Sequence, residues 1–155
     1  MSRARVQAEA FDAGQEIARL TGGRRDVGAV ATFIGYVRDL NEGSGVSRMT
    51  LEHYPGMTER ALEDICDEAF GRWDLLDLRV VHRVGALEPG EAIVLVAVSS
   101  AHRGEAFAAC EFVMDYLKTQ APFWKKEETS EGSRWVDARS SDDDAAARWE
   151  AGKAP

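Results

Sequence analysis

The stretch LLDLRVVHRVGALEPGEAIVLVAVSS (75–100) decides the fold class. Its two halves, LLDLRVVHRVG (75–85) and AIVLVAVSS (92–100), are rich in the branched apolar residues that suit a pleated, buried surface. Between them, LEPGE places proline and glycine where a reversing turn needs them. Strands joined by so short a connection run antiparallel, because a parallel pair needs a crossover of about a dozen residues or more. A hairpin at mid-chain, with helical patterns on either side, favours α+β over a doubly wound parallel sheet.

Working outward, residues 57–72 carry Ala61, Leu62, Ile65, Cys66, Ala69 and Phe70 at the i, i+3, i+4 spacing of a helix with one buried face. Pro55-Gly56 separates that helix from a strand in VSRMTLEHY (46–54). Nearer the N-terminus, RVQAEAF (5–11) predicts a strand, and Asp12 predicts the N-cap of a helix running to about Leu20. VGAVATFIGYV (27–37) predicts a buried strand and DLNEGSG (39–45) a mobile loop. On the C-terminal side, a helix over about 104–118 is expected to bury Phe107, Cys110, Val113, Met114 and Leu117. FWKKEETSEGSRWVDA (123–138) reads as two short strands about a turn at Ser130–Ser133. Ser141 is the expected cap of a last helix, with Asp142–Asp144 near its positive end. No repeat or linker interrupts the 155 residues, so 1–155 is expected to form a single domain.

Composition excludes several classes. A formal net charge of −8 argues against a general nucleic-acid binder. No apolar run approaches the roughly 20 residues that span a bilayer, and MSRARVQAEAFDAG has no apolar signal core, so the expectation is a cytoplasmic protein without a membrane segment. Cys66 and Cys110 lack metal or redox spacing and fall at apolar positions of helical patterns, as inert buried thiols do. The chain has no phosphate-binding glycine loop, no dinucleotide fingerprint and no zinc spacing, which predicts neither a bound metal nor a nucleotide cofactor.

What remains is a set of cations at element ends. Fifteen of the nineteen basic residues are arginine, yet three of the four lysines lie in LKTQAPFWKKEE (117–128). Lys118 closes a helix, Pro122 stops it, and Phe123-Trp124 precede Lys125-Lys126. Strand alternation sends Lys125 and Lys126 to opposite faces, with Lys125 favoured as the inward one. A lysine among apolar walls loses solvation, which makes a neutral amine more accessible. Arg38 sits where a strand meets the glycine-rich loop, and His102 and Arg103 sit at a helix N-terminus, where anions are favoured. His82 and Arg83, near the end of a strand, point to opposite faces, so at most one is expected to face a given pocket; a structural or subunit-contact role is favoured for both. Arg38, His102, Arg103, Lys118 and Lys125 together suit an anionic, phosphorylated substrate, with lysine as acid, base or nucleophile. A groove that merely captures an acidic peptide, or a Schiff-base lysine enzyme, would use the same charges.

GAVATFIGYVRDLNEG (28–43), LEHYPGM (51–57), HRVGALEPGE (82–91), SSAHRGEAF (99–107) and LKTQAPFWKKE (117–127) resemble, in order and spacing, the large catalytic subunit of molybdopterin synthase, the MoaE family. The resemblance implies an α+β fold, the α/β hammerhead with an additional antiparallel β subdomain. It implies a homodimer in which each copy binds a small ubiquitin-like sulfur carrier of the MoaD type through the carrier's C-terminal Gly-Gly, giving a heterotetramer. The reaction implied is transfer of two sulfurs from the carrier's thiocarboxylate to cyclic pyranopterin monophosphate, a sulfurtransferase step in molybdenum cofactor biosynthesis. By motif, Lys118 and Lys125 match the catalytic lysines. Tyr36, Val37 and Arg38, then His102 and Arg103, then Lys125, Lys126 and Glu127, match substrate contacts, with Lys118 touching substrate as well. Tyr36 stands where relatives often have lysine, which points to a contact that is either made through its backbone or weaker.

Overall fold

A computed structural model of the chain describes residues 2–41, 43–136 and 140–151. Its centre is the predicted hairpin. Strand β7 (Ala92–Ser100) pairs antiparallel with β5 (Asp77–Arg83) on one side and with β2 (Ala29–Tyr36) on the other. Strand β1 (Ala4–Gln7) adds in parallel beyond β5, giving the order β1-β5-β7-β2. Alternation along β7 sends Val94, Val96 and Val98 to one face and Leu95 and Ala97 to the other. Both faces are covered. Helices α2 (Met57–Arg72) and α3 (Arg103–Gln120) pack on the first, and α1 (Ala13–Thr21) packs on the second through Ile17 and Leu20. This explains why β7 reads as an unbroken apolar run: a strand buried on both sides has no polar face.

Local signals set the helix ends. Asp12 accepts the Gln15 N–H at 3.1 Å, capping α1 as its sequence predicts. Gly56 enters α2 at φ +86°, a conformation costly for any residue with a Cβ, and its N–H is held by Glu59 Oε1 at 2.9 Å. Helix α3 buries Phe112 against Trp73, Tyr116 and Trp149, the last from α4 (Ser140–Ala151). Trp149 also donates to Asp115 at 2.7 Å, and Tyr116 to Glu150 at 3.0 Å, fixing α4 along α3.

A second, antiparallel sheet stands beside the first, in the order β3-β4-β8-β9 with β6 on the other edge of β4. It comprises β3 (Leu40–Asn41), β4 (Ser44–His53), β6 (Gly85–Leu87), β8 (Phe123–Thr129) and β9 (Gly132–Val136). Its core is small: Val37, Met49, Leu51 and Leu87, with Ile93 against them. The α+β class and the additional antiparallel subdomain are therefore both present. No helix among the described residues is long and apolar enough to cross a membrane.

Four local expectations change. DLNEGSG is not a loop throughout, because Leu40 and Asn41 pair with Gly45 and Ser44 in a small hairpin; residue 42 lies outside the described residues. The connection between β5 and β7 is no simple turn, since β6 leaves to pair with β4. Phe107 stays 65% exposed, because neither sheet nor helix covers the first turns of α3 on that side. Ser141 lies inside the last helix, which begins one residue earlier. Residues 137 and 138 of the predicted C-terminal strand pair lie outside the described residues.

Candidate functional site

A cavity of about 490 Å3 opens where the two sheets meet. Three of its linings are the expected cations Arg38, Lys118 and Lys125, set among Ile34, Met49, Leu51, Ile93 and Leu117. Each arrives by a separate device. Val37 is buried, with its N–H on the Glu91 carbonyl at 2.9 Å and its carbonyl accepting from Gly90 at 2.8 Å. With Val37 pinned, its exposed neighbours Tyr36 and Arg38 flank it at the cavity. Lys118 stands exposed in the last turn of α3. The helix breaks at Ala121-Pro122, and Thr58 Oγ1 fixes the break by donating to the Pro122 carbonyl at 3.0 Å. Thr58 Oγ1 in turn accepts the Tyr54 N–H, so the starts of α2 and β8 are tied together.

From that break, alternation settles the lysine pair. Phe123, Lys125 and Glu127 stand opposite His53, Leu51 and Met49 of β4, on the inner face. Lys126 stands opposite Thr50 and Trp135 on the outer face, with its ammonium 5.9 Å from the Trp135 ring centre. Lys126 therefore does not line the cavity. Glu127 does, but its carboxylate is already engaged. It is 2% exposed and accepts from Asn41 Nδ2 at 3.0 and 3.1 Å and from Arg134 Nη2 at 3.3 Å. A buried carboxylate with this many donors braces β3, β8 and β9 against one another.

His102 and Arg103 do not join the others within one chain. They sit at the N-terminus of α3, and Lys118 sits in its last turn. Fifteen residues of helix separate Arg103 from Lys118, about 22 Å at the helical rise. The two also stand at opposite ends of the first sheet, since Ser100 pairs with Ala29 while Ala92 pairs with Tyr36 near Arg38. The chain packs tightly at the His102 end, where a Cβ on Gly28 would fall 2.0 Å from the Ala101 carbonyl oxygen.

The structure adds linings that the sequence reading did not select. Asn41 comes from the small hairpin and Asp142 from the first turn of α4. His82 is the third. Alternation allowed one of His82 and Arg83 to face a pocket, and it is His82. Arg83 is structural, its guanidinium donating to the Ala8 and Ala92 carbonyls at 3.0–3.2 Å. His82 is buried and stacked on Phe123, with ring centres 3.8 Å apart and planes at 17°. Burial pushes its pKa down to about 4; the hydrogen bond to the Arg83 carbonyl pulls the other way, and the charges of Lys118, Lys125 and His53 add lesser depressions. The cysteines are inert as expected: burial pushes Cys66 up to about 12 and Cys110 up to about 11. Among the described residues, no three His, Cys, Asp or Glu side chains gather to hold a metal.

The sequence profile described as "MoaE protein" matches residues 6–120. A protein of Ralstonia nicotianae named molybdopterin synthase catalytic subunit is 66% identical over 149 residues, covering 96% of this chain and 85% of its own. One of Pseudomonas aeruginosa with the same name is 62% identical, covering 94% and 97%. The solved structure of the molybdopterin biosynthesis MoaE protein from Burkholderia ambifaria superposes with a TM-score of 0.82 at 57% identity, covering 97% of this chain and 99% of that one.

Proposed function

Because the chain belongs to the MoaE family, we propose that it is the catalytic subunit of a molybdopterin synthase and that the cavity between its sheets is the place of sulfur transfer. The observation that carries this reading is the meeting of Arg38, Lys118 and Lys125 in one cavity with otherwise largely apolar walls. The substrate is cyclic pyranopterin monophosphate, and the donor is the thiocarboxylate at the C-terminal Gly-Gly of a small MoaD-type carrier. Each transfer exchanges sulfur for oxygen. A carbon–sulfur bond forms on the pterin side chain as a carbon–oxygen bond there breaks, and the bond from sulfur to the carrier's terminal carbonyl carbon breaks as water adds to that carbon, leaving the carrier as a carboxylate.

Arg38 holds the substrate phosphate and offsets the charge that develops as the cyclic ester opens. Lys118 serves as acid–base group or transient nucleophile at the carrier's terminal carbonyl, and Lys125 orients the thiocarboxylate. Tyr36 contacts substrate at the rim. Val37 and Glu127 act by holding Arg38 and Lys125 in place. His102 and Arg103, about a helix length away from Lys118, complete a phosphate site only when a second copy brings its α3 N-terminus to the cavity, which is the role we assign to the homodimer. Residues 1–155 then act as a single domain, and we place the enzyme in the cytoplasm.

Reconstitution with thiocarboxylated carrier and cyclic pyranopterin monophosphate, reading out the dithiolene product, tests the reading. Lys118→Ala abolishes product while carrier binding, followed by titration calorimetry, stays nearly intact. Undiminished turnover in Lys118→Ala removes the assignment.

A further inference from the structure

Arg38 is exposed, yet the backbone that carries it is held at three points. Val37 is pinned by Gly90 and Glu91, and the Asp39 carbonyl accepts the Val46 N–H at 2.8 Å. The third hold lies at Asn41 and is made largely by side chains. Asn41 Nδ2 donates to both oxygens of Glu127, at 3.0 and 3.1 Å. Arg134 Nη2 donates to the Asn41 carbonyl at 3.1 Å and to Glu127 Oε1 at 3.3 Å. One residue from each of β3, β8 and β9 thus closes a ring of hydrogen bonds. Arg134 stands directly opposite Glu127 in the β8–β9 register, so both side chains rise from the same face. Asn41 and Glu127 line the cavity, whereas Arg134 reaches them from outside it.

We propose that Asn41 and Arg134 are positioning residues for Arg38, holding its segment so that the guanidinium is ready for the substrate phosphate; the inference rests on the sulfur-transfer reading. Strand β3 cannot do this by its own ladder. It has two residues, paired only with Gly45 and Ser44, and so short a strand is marginal unless something else holds it. The ring supplies that hold three residues beyond Arg38. A long side chain on a fixed backbone loses less freedom on taking up an anion than one on a drifting segment. Charge follows the same logic. A carboxylate, a guanidinium and a neutral amide sum to zero, so buried Glu127 does not set a net negative charge beside the place where the phosphate binds. Aspartate in place of Asn41 would face Glu127 with a second carboxylate and break both conditions.

Titration calorimetry of the full chain with cyclic pyranopterin monophosphate, carrier absent, tests the proposal. Arg134→Met keeps much of the stem and loses the fork, and Asn41→Ala loses the amide. Each weakens binding about fivefold, as expected when one long side chain must be ordered anew. In an Arg38→Ala background neither substitution weakens binding further, because the effect passes through Arg38. Unchanged affinity in both variants, or the same loss with and without Arg38, overturns the proposal, and the ring then serves only the sheet. Should Arg134→Met fail to fold, Arg134→Lys keeps the charge opposite Glu127 but not the fork, and weakens binding about twofold with the same dependence on Arg38. The Val46 amide, bonded to Asp39, reports on the segment without any ligand. Its hydrogen exchange quickens about fivefold in Arg134→Met while that of Val96 in β7 does not. Equal quickening at both, or at neither, overturns the proposal as well. If wild type binds no pterin while Val46 exchange still depends on Arg134, the sulfur-transfer reading falls and the hold on the Arg38 segment stands.

Discussion

Strands β7 and β8 differ in what they turn inward. From Val94 to Ser100 every residue of β7 is buried, apolar as far as Val98, with helices on both faces. The inner face of β8 instead sets Lys125 against Leu51 and Glu127 against Met49. The first pattern closes a core. The second holds a core open, because a charged side chain opposite an apolar one leaves space that neither fills. A closed core and an open cavity are thus divided between the two sheets, with His82 at the seam: its backbone lies in the first sheet and its ring stacks on Phe123 of the second. Phe112→Ala should expose the division most sharply. That ring is fully buried among Trp73, Tyr116 and Trp149, and its removal should cost about 4 kcal/mol in urea unfolding. Leu51→Ala, beside an existing cavity, should cost about 2 kcal/mol, since less packing is lost there. Equal costs would break the comparison.

Next in size is the acid response of the seam. His82 titrates near 6.5 when unfolded and is depressed to about 4 when folded. Above pH 6.5 the ring is neutral in both states and costs nothing. Below it the unfolded chain takes up a proton that the folded chain refuses, so stability falls as pH drops from 6.5 toward 4. Between pH 7.5 and 4.5 the loss from this group is about 2–3 kcal/mol. His82→Phe, which keeps an aromatic ring over Phe123, should flatten that part of the pH–stability curve. A variant as acid-sensitive as wild type would place the titration elsewhere.

These two effects also mark what the sequence could reveal. The β5–β7 pair, α2 and α3 were legible because each has a long period and clear punctuation. The inward turn of Lys125 was legible because alternation needs only one anchor. β6 was not, being three residues too few to show a period, with a partner strand more than thirty residues away. Phe107 misled because helical spacing marks a face without saying how far its cover extends. The placing of His82 depended on Phe123, forty-one residues on, and no local pattern carries such a contact. The separation of Arg103 from Lys118 is different. Fifteen helical residues imply about 22 Å, so the sequence already held the reason that one chain cannot bring the two together.

A smaller effect is expected at the brace of the second sheet. Glu127→Gln keeps the shape but replaces one acceptor oxygen by a donor that faces Asn41 or Arg134. The loss should be about 1–2 kcal/mol, and amide exchange should quicken at β3 before it does in β7. Uniform quickening across both sheets would mean that Glu127 supports the whole molecule rather than this corner.

Lys126→Ala should show the smallest effect and the most pointed contrast, because Lys126 is one residue from Lys125. Its ammonium lies 5.9 Å from the Trp135 ring on the face away from the cavity, a contact worth about 0.5 kcal/mol at a solvated site. Losing it should shift the urea midpoint slightly and leave cavity chemistry within about twofold, whereas Lys125→Ala should cost turnover and little stability. The pair isolates alternation itself. The two residues share type, strand and neighbourhood, and differ only in the face to which the pleat assigns them. If Lys126→Ala lost turnover as Lys125→Ala does, the outer face of β8 would also carry function, and the division between a closed sheet and an open one would have to include it.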